Sequence, residues 1–403
     1  MSRLLRGSIA GIALLASAQA AYAQTPPLPA SNEERPTFVI GGFELRPRLL
    51  VLMGVDNNVF NEPENAKRDF AIGVHPDLEV TVKPGPVKVV SLLVSDFLWY
   101  KDHESERFAN RSASVNVDAN LRAFRPFAGF SIADTSARPS PEIDARAHRN
   151  PQTVSAGATV KIGTRTSAGA KWTQARERYD DNEAFRGEDL ATTLNNESTT
   201  IEGIFGVELT PLTSLSLVVG RDDLNFDHTA VRNATATRIL PTLTFSPAGL
   251  INGTAAVGYK LFEGDDPSMP DYRGLVMNGS VAVLLGQRYR VETQFARDVQ
   301  YSYEAALPYY VLTGGRGTLA TQLTSIFDVR GTVGYDRMRY QAYNGGDSPG
   351  TDRQRVYGGG IGFRIGDRKR LLLQVEFIER NSDRDRQREY TNQRIFGTFT
   401  WGA

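Results

Sequence analysis

Alternation of apolar and polar residues dominates most of this sequence. In residues 111–122, for example, Val115 and Val117 alternate with Asn116 and Asp118. Successive side chains of a β-strand point to opposite faces, so a period of two predicts strands with one apolar and one polar face. A soluble sandwich turns the apolar face into a core, whereas an outer-membrane barrel turns it to lipid and the polar face to a wet lumen.

The connections between these segments are of two kinds. Very short turns, built mostly from Gly, Pro, Thr, Ser and Asp, lie at residues 83–86, 123–125, 163–165, 210–213, 246–249, 285–287, 323–325 and 366–368. Long polar connections lie at residues 56–69, 101–110, 136–151, 180–196, 227–234, 263–272, 302–308, 341–355 and 382–389. Counting the segments on either side gives about 18 strands, with short turns at one rim and long loops at the other, as in bacterial outer-membrane barrels.

The pattern therefore predicts an all-β fold, a transmembrane antiparallel β-barrel of about 18 strands with short periplasmic turns and long extracellular loops. A soluble sandwich or a propeller is the alternative. The sandwich needs a second apolar layer, and no blade-length repeat supports a propeller. Residues 87–100 are largely apolar on both faces, which predicts an inner patch that packs against a loop or plug.

The N-terminus predicts export. Arg3 and Arg6 precede an apolar run at residues 9–16, and a small-residue cleavage site ends at Ala23. This arrangement is typical of a secretory signal peptide, residues 1–23, and the run is too short for the alternative of an uncleaved anchor helix. A Pro-rich periplasmic lead-in at residues 24–36 and a barrel domain at 37–403 would follow, so we expect the mature chain in the bacterial outer membrane.

Composition excludes several classes of site. The chain has no Cys, which excludes a thiolate metal site and a Cys nucleophile, and its four His residues lack zinc-binding spacing. Lys plus Arg equal Asp plus Glu at 46 each, so charge indicates no nucleic-acid partner. The loop carboxylates Asp180, Asp181 and Glu183, or Asp265 and Asp266, could form an acid/base pair, but solvated loop charges or weak Ca²⁺ contacts are favoured. We expect no enzyme, no cofactor and no metal.

The opening of the mature chain resembles a known family. Pro47 in the first strand, residues 55–60 (VDNNVF) at its outer end, and then Asp69 and Pro76 in the next strand look like the start of the Putative beta-barrel porin 2 family. The family-motif residues are Pro47, Asp56, Asn57, Asn58 and Phe60. The resemblance implies an outer-membrane barrel associated with exopolysaccharide export, with a polysaccharide and periplasmic polysaccharide-export proteins as partners.

The C-terminus indicates two further partners. Phe399 and Trp401 lie near the end of the last segment and resemble the signal read by the barrel-assembly machinery, although Gly402 and Ala403 follow them. That machinery and outer-membrane lipid are therefore expected partners.

The polar faces supply candidate pore-lining residues of both signs: Glu44, Arg46, Arg48, Asp118, Arg122, Lys171, Glu202, Glu208, Lys260, Arg290, Glu292, Asp328, Arg330, Arg364 and Glu376. A balanced lining argues against sharp ion selectivity and suits neutral or weakly charged solutes such as sugars. These charges could also pair across strands and stiffen the wall. The hypothesis is a pore for an exported exopolysaccharide. A passive general or sugar diffusion porin, or a non-conducting adhesion or scaffold barrel, remains the alternative.

Overall fold

The computed structural model of the chain describes residues 37–286, 288–346 and 349–402. The predicted signal peptide and lead-in lie outside these residues. In chain order the strands are β1 (Phe38–Ile40), β2 (Phe43–Asp56), β3 (Asp69–Val82), β4 (Val87–Tyr100), β5 (Phe108–Ala119), β6 (Phe124–Asp134), β7 (Gln152–Lys161), β8 (Thr166–Glu177), β9 (Ala184–Phe185), β10 (Glu188–Asp189), β11 (Asn196–Thr210), β12 (Thr213–Phe226), β13 (Ala234–Phe245), β14 (Ile251–Gly264), β15 (Tyr272–Leu285), β16 (Tyr289–Tyr301), β17 (Tyr309–Gln322), β18 (Phe327–Tyr340), β19 (Thr351–Ile365), β20 (Lys369–Ser382) and β21 (Tyr390–Trp401).

One antiparallel sheet contains 19 of these strands, and it closes on itself. The three-residue β1 only extends the pairing at the start of β2, so the remaining 18 strands form the wall. Closure occurs where β2 pairs with β3 on one side and with β21 on the other, for example Leu50 opposite Thr400. A closed sheet leaves no unpaired edge, which a membrane-spanning sheet requires. The predicted fold class is confirmed.

The two faces of the wall differ in the way that the alternation predicts. The apolar side chains point outward and are exposed, as for Val333 (61%), Ile361 (58%) and Leu373 (58%). Their inward neighbours are covered, as for Arg330 (9%) and Gln374 (8%). No protein layer covers the apolar stripe in the described residues, so the bilayer takes that role.

The strand connections differ in length at the two ends of the barrel. The turns at the periplasmic end contain only a few residues, and Gly85 and Gly366 there have φ of 59° and 63°, a region that favours glycine. The extracellular connections are longer, and that between β8 and β11 contains the hairpin β9–β10 and helix α1 (Leu190–Leu194). Three-residue 3₁₀ turns lie at Glu104–Glu106, Ala230–Arg232, Tyr343–Gly345 and Arg386–Arg388. No helix in the described residues is long and apolar enough to cross a membrane.

The orientation of the wall predicts a position-specific cost for charge. Val333→Arg places a guanidinium on the lipid face at the middle of β18, which we expect to cost about 2–4 kcal/mol of unfolding free energy. Thr332→Arg, one residue away on the inward face, is the matched control and should cost clearly less. Denaturant titration of the barrel in lipid vesicles measures both variants, and equal losses would contradict the assigned orientation.

Candidate functional site

The loop between β6 and β7, residues 135–151, crosses the bore of the barrel; we call it the plug loop. Its Glu142 accepts hydrogen bonds from Ser302 Oγ (2.7 Å) and the Tyr303 backbone N–H (3.1 Å), which follow β16. In the strand order, β16 is nearly half-way around the wall from β7. The inward-facing Arg380 of β20 donates to the Pro141 carbonyl (3.0 Å). The loop is therefore held on the far side of the bore from the strands β6 and β7 that it connects.

An apolar cluster joins the plug loop to the connection between β8 and β11, residues 178–195. Its buried members are Ile143, Ala147, Tyr179, Phe185, Leu190, Ala191, Leu194 and Tyr303. The rings of Phe185 and Tyr303 meet edge to face at 4.7 Å. Asp189 caps α1 by accepting from the Thr192 N–H (2.9 Å). The two connections pack as one unit, which we call the plug, together with residues 302–308.

A fully buried arginine donates hydrogen bonds to four carbonyl groups of these loops. Arg232 is 0% exposed and donates to the carbonyl oxygens of Thr193 (3.2 Å), Ser302 (2.6 Å), Glu304 (2.6 Å) and Leu307 (3.1 Å). Loop carbonyls removed from water need such partners, because an unsatisfied buried polar group is costly. Arg232 therefore fixes residues 302–308 to the loop that contains α1.

Buried ion pairs link the plug to β20 and to the loop after it. Arg380 of β20 binds Asp144 of the plug loop (3.1 Å). Asp352 is 0% exposed and accepts from Arg380 Nη2 (2.7 Å) and Arg388 Nε (2.8 Å). Arg384 makes two parallel bonds to the Glu304 carboxylate (2.8 and 2.6 Å). Removing one partner of a buried pair leaves an uncompensated charge and costs about 3–5 kcal/mol. The network therefore favours a single arrangement of the plug.

Two titratable groups of the plug have shifted pKa values. Burial raises the pKa of Glu142 to about 7, although Arg388 and the bonds from Ser302 and Tyr303 act in the opposite direction. Partial burial lowers the pKa of His148, but its contacts with Asp134 (2.6 Å) and Asp180 (2.8 Å) outweigh this, and the net shift is upward.

The family-motif asparagines join the first wall strand to the last. Asn58 Nδ2 donates to the Thr391 carbonyl (2.9 Å), and Asn392 Nδ2 donates to the Asn58 carbonyl (2.8 Å). The Asn57 backbone N–H donates to the Gln393 carbonyl (3.1 Å). These residues continue the contact between β2 and β21 beyond the end of the strands, so they stabilise the closure of the barrel.

Of the other motif residues, Pro47 and Asp56 lie in β2 and Phe60 lies in the loop that follows it. Asp56 pairs with Arg394 of β21 (3.0 Å), and the Phe60 ring meets His103 edge to face at 5.2 Å. Pro47 lies opposite Leu78 of β3.

Comparison with known proteins assigns the family. The model of the family Putative beta-barrel porin 2 matches residues 38–400. The chain belongs to this family. No curated protein matches the chain significantly.

Solved structures of outer-membrane channels are also similar to this family member. A BenF-like porin from Pseudomonas fluorescens Pf-5 is 10% identical over 90% of this chain and 100% of its own, with a TM-score of 0.48. The outer membrane protein opdK from Pseudomonas aeruginosa is 10% identical over 88% and 98%, with a TM-score of 0.46. The porin barrel places this chain in the bacterial outer membrane.

In this porin-family barrel, every predicted pore-lining residue except Arg122 lies on the inward face of the wall. These residues are Glu44, Arg46 and Arg48 in β2, Asp118 in β5, Lys171 in β8, Glu202 and Glu208 in β11, Lys260 in β14, Arg290 and Glu292 in β16, Asp328 and Arg330 in β18, Arg364 in β19, and Glu376 in β20. Arg122 lies instead in the exposed periplasmic turn after β5, with φ of 57°.

Many of the inward charges pair between strands that are adjacent in the wall or separated by one strand. Glu202 contacts both Lys171 (3.8 Å) and Arg238 (2.9 Å), and Lys260 contacts Asp298 (2.7 Å). Such pairs stabilise the wall, which is the alternative role that the sequence analysis gave to these charges. The pore-lining role of these residues stays a prediction.

The loop carboxylates considered as an acid/base pair have structural contacts in the porin barrel. Asp180 meets His148, and Asp266 accepts from the Ser268 backbone N–H (2.8 Å). In the described part of the chain, no group of three or more His, Asp or Glu side chains is arranged to hold a metal ion.

The sequence did not reveal the residues that hold the plug, including Glu142, Arg232, Asp352 and Arg388. One available signal was the presence of apolar residues such as Ile143 within otherwise polar loops, since solvated loops rarely need them. The apolar inner face predicted for residues 87–100 is present, and Leu98 packs against the cluster that contains Val59 of the loop after β2.

Proposed function

We propose that the protein is a diffusion channel for small solutes whose extracellular end is narrowed by the plug. One observation carries the proposal: the plug loop starts between β6 and β7 and crosses the bore, where Glu142 binds residues 302 and 303 after β16 and the Pro141 carbonyl accepts from Arg380 of β20. An 18-stranded barrel without such a loop has a bore wide enough for an aqueous channel. A loop held inside it restricts the passage to small molecules unless it moves.

Export of an exopolysaccharide is the second candidate. The inward faces of three neighbouring strands carry neutral polar side chains, Ser112, Ser114 and Asn116 in β5, Ser131 in β6 and Ser155 in β7. Hydroxyl and amide groups of this kind suit contact with sugar hydroxyls. A polymer chain would nevertheless need the plug to leave the bore.

Planar-bilayer recording and liposome swelling test the proposal. We expect a small single-channel conductance and passage of monosaccharides, with larger oligosaccharides excluded. A barrel that passes neither ions nor sugars would contradict the channel and favour the scaffold alternative. Deleting the gene in the cell tests the second candidate. Loss of polymer secretion with unchanged uptake of small nutrients would favour export instead.

A further inference from the structure

A polar cavity lies within the barrel beneath the plug. Arg138 and Arg146 line it from the plug loop, and Arg316 of β17 and Arg394 of β21 line it from the wall. Apolar side chains, among them Phe396, form other parts of its surface. The cavity therefore combines guanidinium groups with an apolar wall.

The acidic side chains in this cavity already have partners. Asp56 and Glu376 both face Arg394 (3.0 and 3.9 Å), and Asp96 faces His75 (2.6 Å). Arg146, the other cavity arginine with an acidic partner, contacts Glu106 at 2.8 Å, outside the cavity lining.

Two guanidinium groups remain without an ion pair at contact distance, and Asp336 of β18 acts on Arg316 only from farther away. No carboxylate oxygen of the described residues lies within 4.0 Å of Arg138 or Arg316. Arg138 is 3% exposed and donates only to neutral oxygen, including the Val59 carbonyl (2.6 Å). The lining thus has an excess of positive charge.

Two buried donor positions also lack a hydrogen-bond partner. They are Arg138 Nε and Arg394 Nη2, both on residues that line the cavity. Burial and the neighbouring Arg394 and Arg146 lower the pKa of Arg138. A buried donor without a partner is destabilising, and an anionic oxygen would satisfy it while relieving the repulsion between the guanidinium groups.

We infer that this cavity is a binding site for a small organic carboxylate that enters the channel, its carboxylate between Arg138, Arg316 and Arg394 and its apolar part against Phe396. Guanidinium groups bind carboxylates by charge-assisted, often paired hydrogen bonds. The inference rests on the proposed channel only because the channel is the route by which the carboxylate reaches the cavity. Binding itself requires no conduction.

Calorimetric titration of the purified full chain in detergent tests the site with sodium benzoate, and with benzamide as a neutral analogue of the same shape. We expect benzoate to bind and benzamide to bind at least about 10-fold more weakly, since hydrogen bonds to charged groups are the stronger ones. Arg316→Gln should weaken benzoate about 10-fold, and Arg316→Lys should weaken it less. Arg273→Gln, at an exposed arginine away from the cavity, should bind as the wild type does.

Equal affinity for benzoate and benzamide, or unchanged benzoate affinity in Arg316→Gln, would overturn the site. Arg316 has no ion pair to lose, so its variants should fold, and resistance of the barrel to unfolding in detergent verifies this. Bilayer conductance of the same sample separates the two proposals. If a non-conducting barrel binds benzoate, the binding site is supported and the channel proposal is wrong. If the barrel conducts but does not bind benzoate, the channel is supported and the binding site is wrong.

Discussion

Releasing the plug loop should raise the single-channel conductance several-fold. Replacing residues 139–146 by a Gly/Ser segment of equal length removes the carboxylates of Glu142 and Asp144 and the apolar side chain of Ile143, which bind the loop to β20 and to the rest of the plug. A flexible loop without these contacts loses the enthalpy of the bonds and regains its conformational entropy. The bore of an 18-stranded barrel would then conduct.

The control for this variant replaces residues 63–66 by Gly/Ser, because these residues form an exposed part of another extracellular loop. It should conduct as the wild type does. Resistance to unfolding in detergent shows whether each barrel is intact. A folded variant of residues 139–146 with wild-type conductance would show that the plug loop does not limit the passage.

Conductance should also rise with pH, and Glu142→Gln should remove most of that dependence. The pKa of Glu142 is raised from 4.5 to about 7 in the closed plug, so the closed state binds a proton more tightly than a released loop does. Its stability relative to the released state is therefore greatest below pH 4.5, decreases between pH 4.5 and 7, and stays low above 7. A shift of this size corresponds to a loss on the order of 3 kcal/mol.

The charged and polar groups around Glu142 act on its protonation in opposite directions. Arg388 and the donors on Ser302 and Tyr303 favour the carboxylate, whereas Glu304 opposes it. Glutamine keeps the size of the side chain and remains neutral at every pH, so the Gln variant should stay closed above pH 7.

His148 contributes in the same direction. Its pKa is raised, so its contacts with Asp134 and Asp180 are strongest below about 6.5 and weaken as pH rises through the raised value. Glu142→Gln should therefore keep a small residual dependence, and adding His148→Gln should remove it. Bilayer recordings from pH 4.5 to 8.5 measure the profiles, with Glu64→Gln at an exposed loop position as the control. A wild-type profile in Glu142→Gln would exclude this carboxyl group as the titrating one.

The wall of the barrel could be predicted in detail, because the sequence of each strand specifies that strand and its two faces. In β16, the alternation of Tyr289 and Val291 with Arg290 and Glu292 specifies both the strand and its outward face. The short turns have their own signals, such as Gly85 and Gly366. Each strand pairs with the strands that precede and follow it in sequence, so the order of the strands around the wall could be predicted as well.

The family motif was visible in the sequence, but its structural role was not. Asn57 and Asn58 precede Thr391 and Asn392 by more than 300 residues, and only the closing of the sheet brings them together. A local pattern carries no information on a contact of that kind.

The sequence by itself determined the number of strands, their lipid-facing and inward-facing sides, and the rim that carries the long loops, because a period of two and turn chemistry are local properties. The apolar inner face of residues 87–100 predicted that a loop or plug packs inside the barrel, but only the tertiary structure decided which loops fold into the bore. Arg232 and Asp352 look like ordinary polar residues of an outer-membrane barrel until closure places loop carbonyls and arginines around them. Loops have no periodicity, and their stabilising contacts join residues that are distant in sequence, so the plug and the cavity beneath it exist only in the folded barrel.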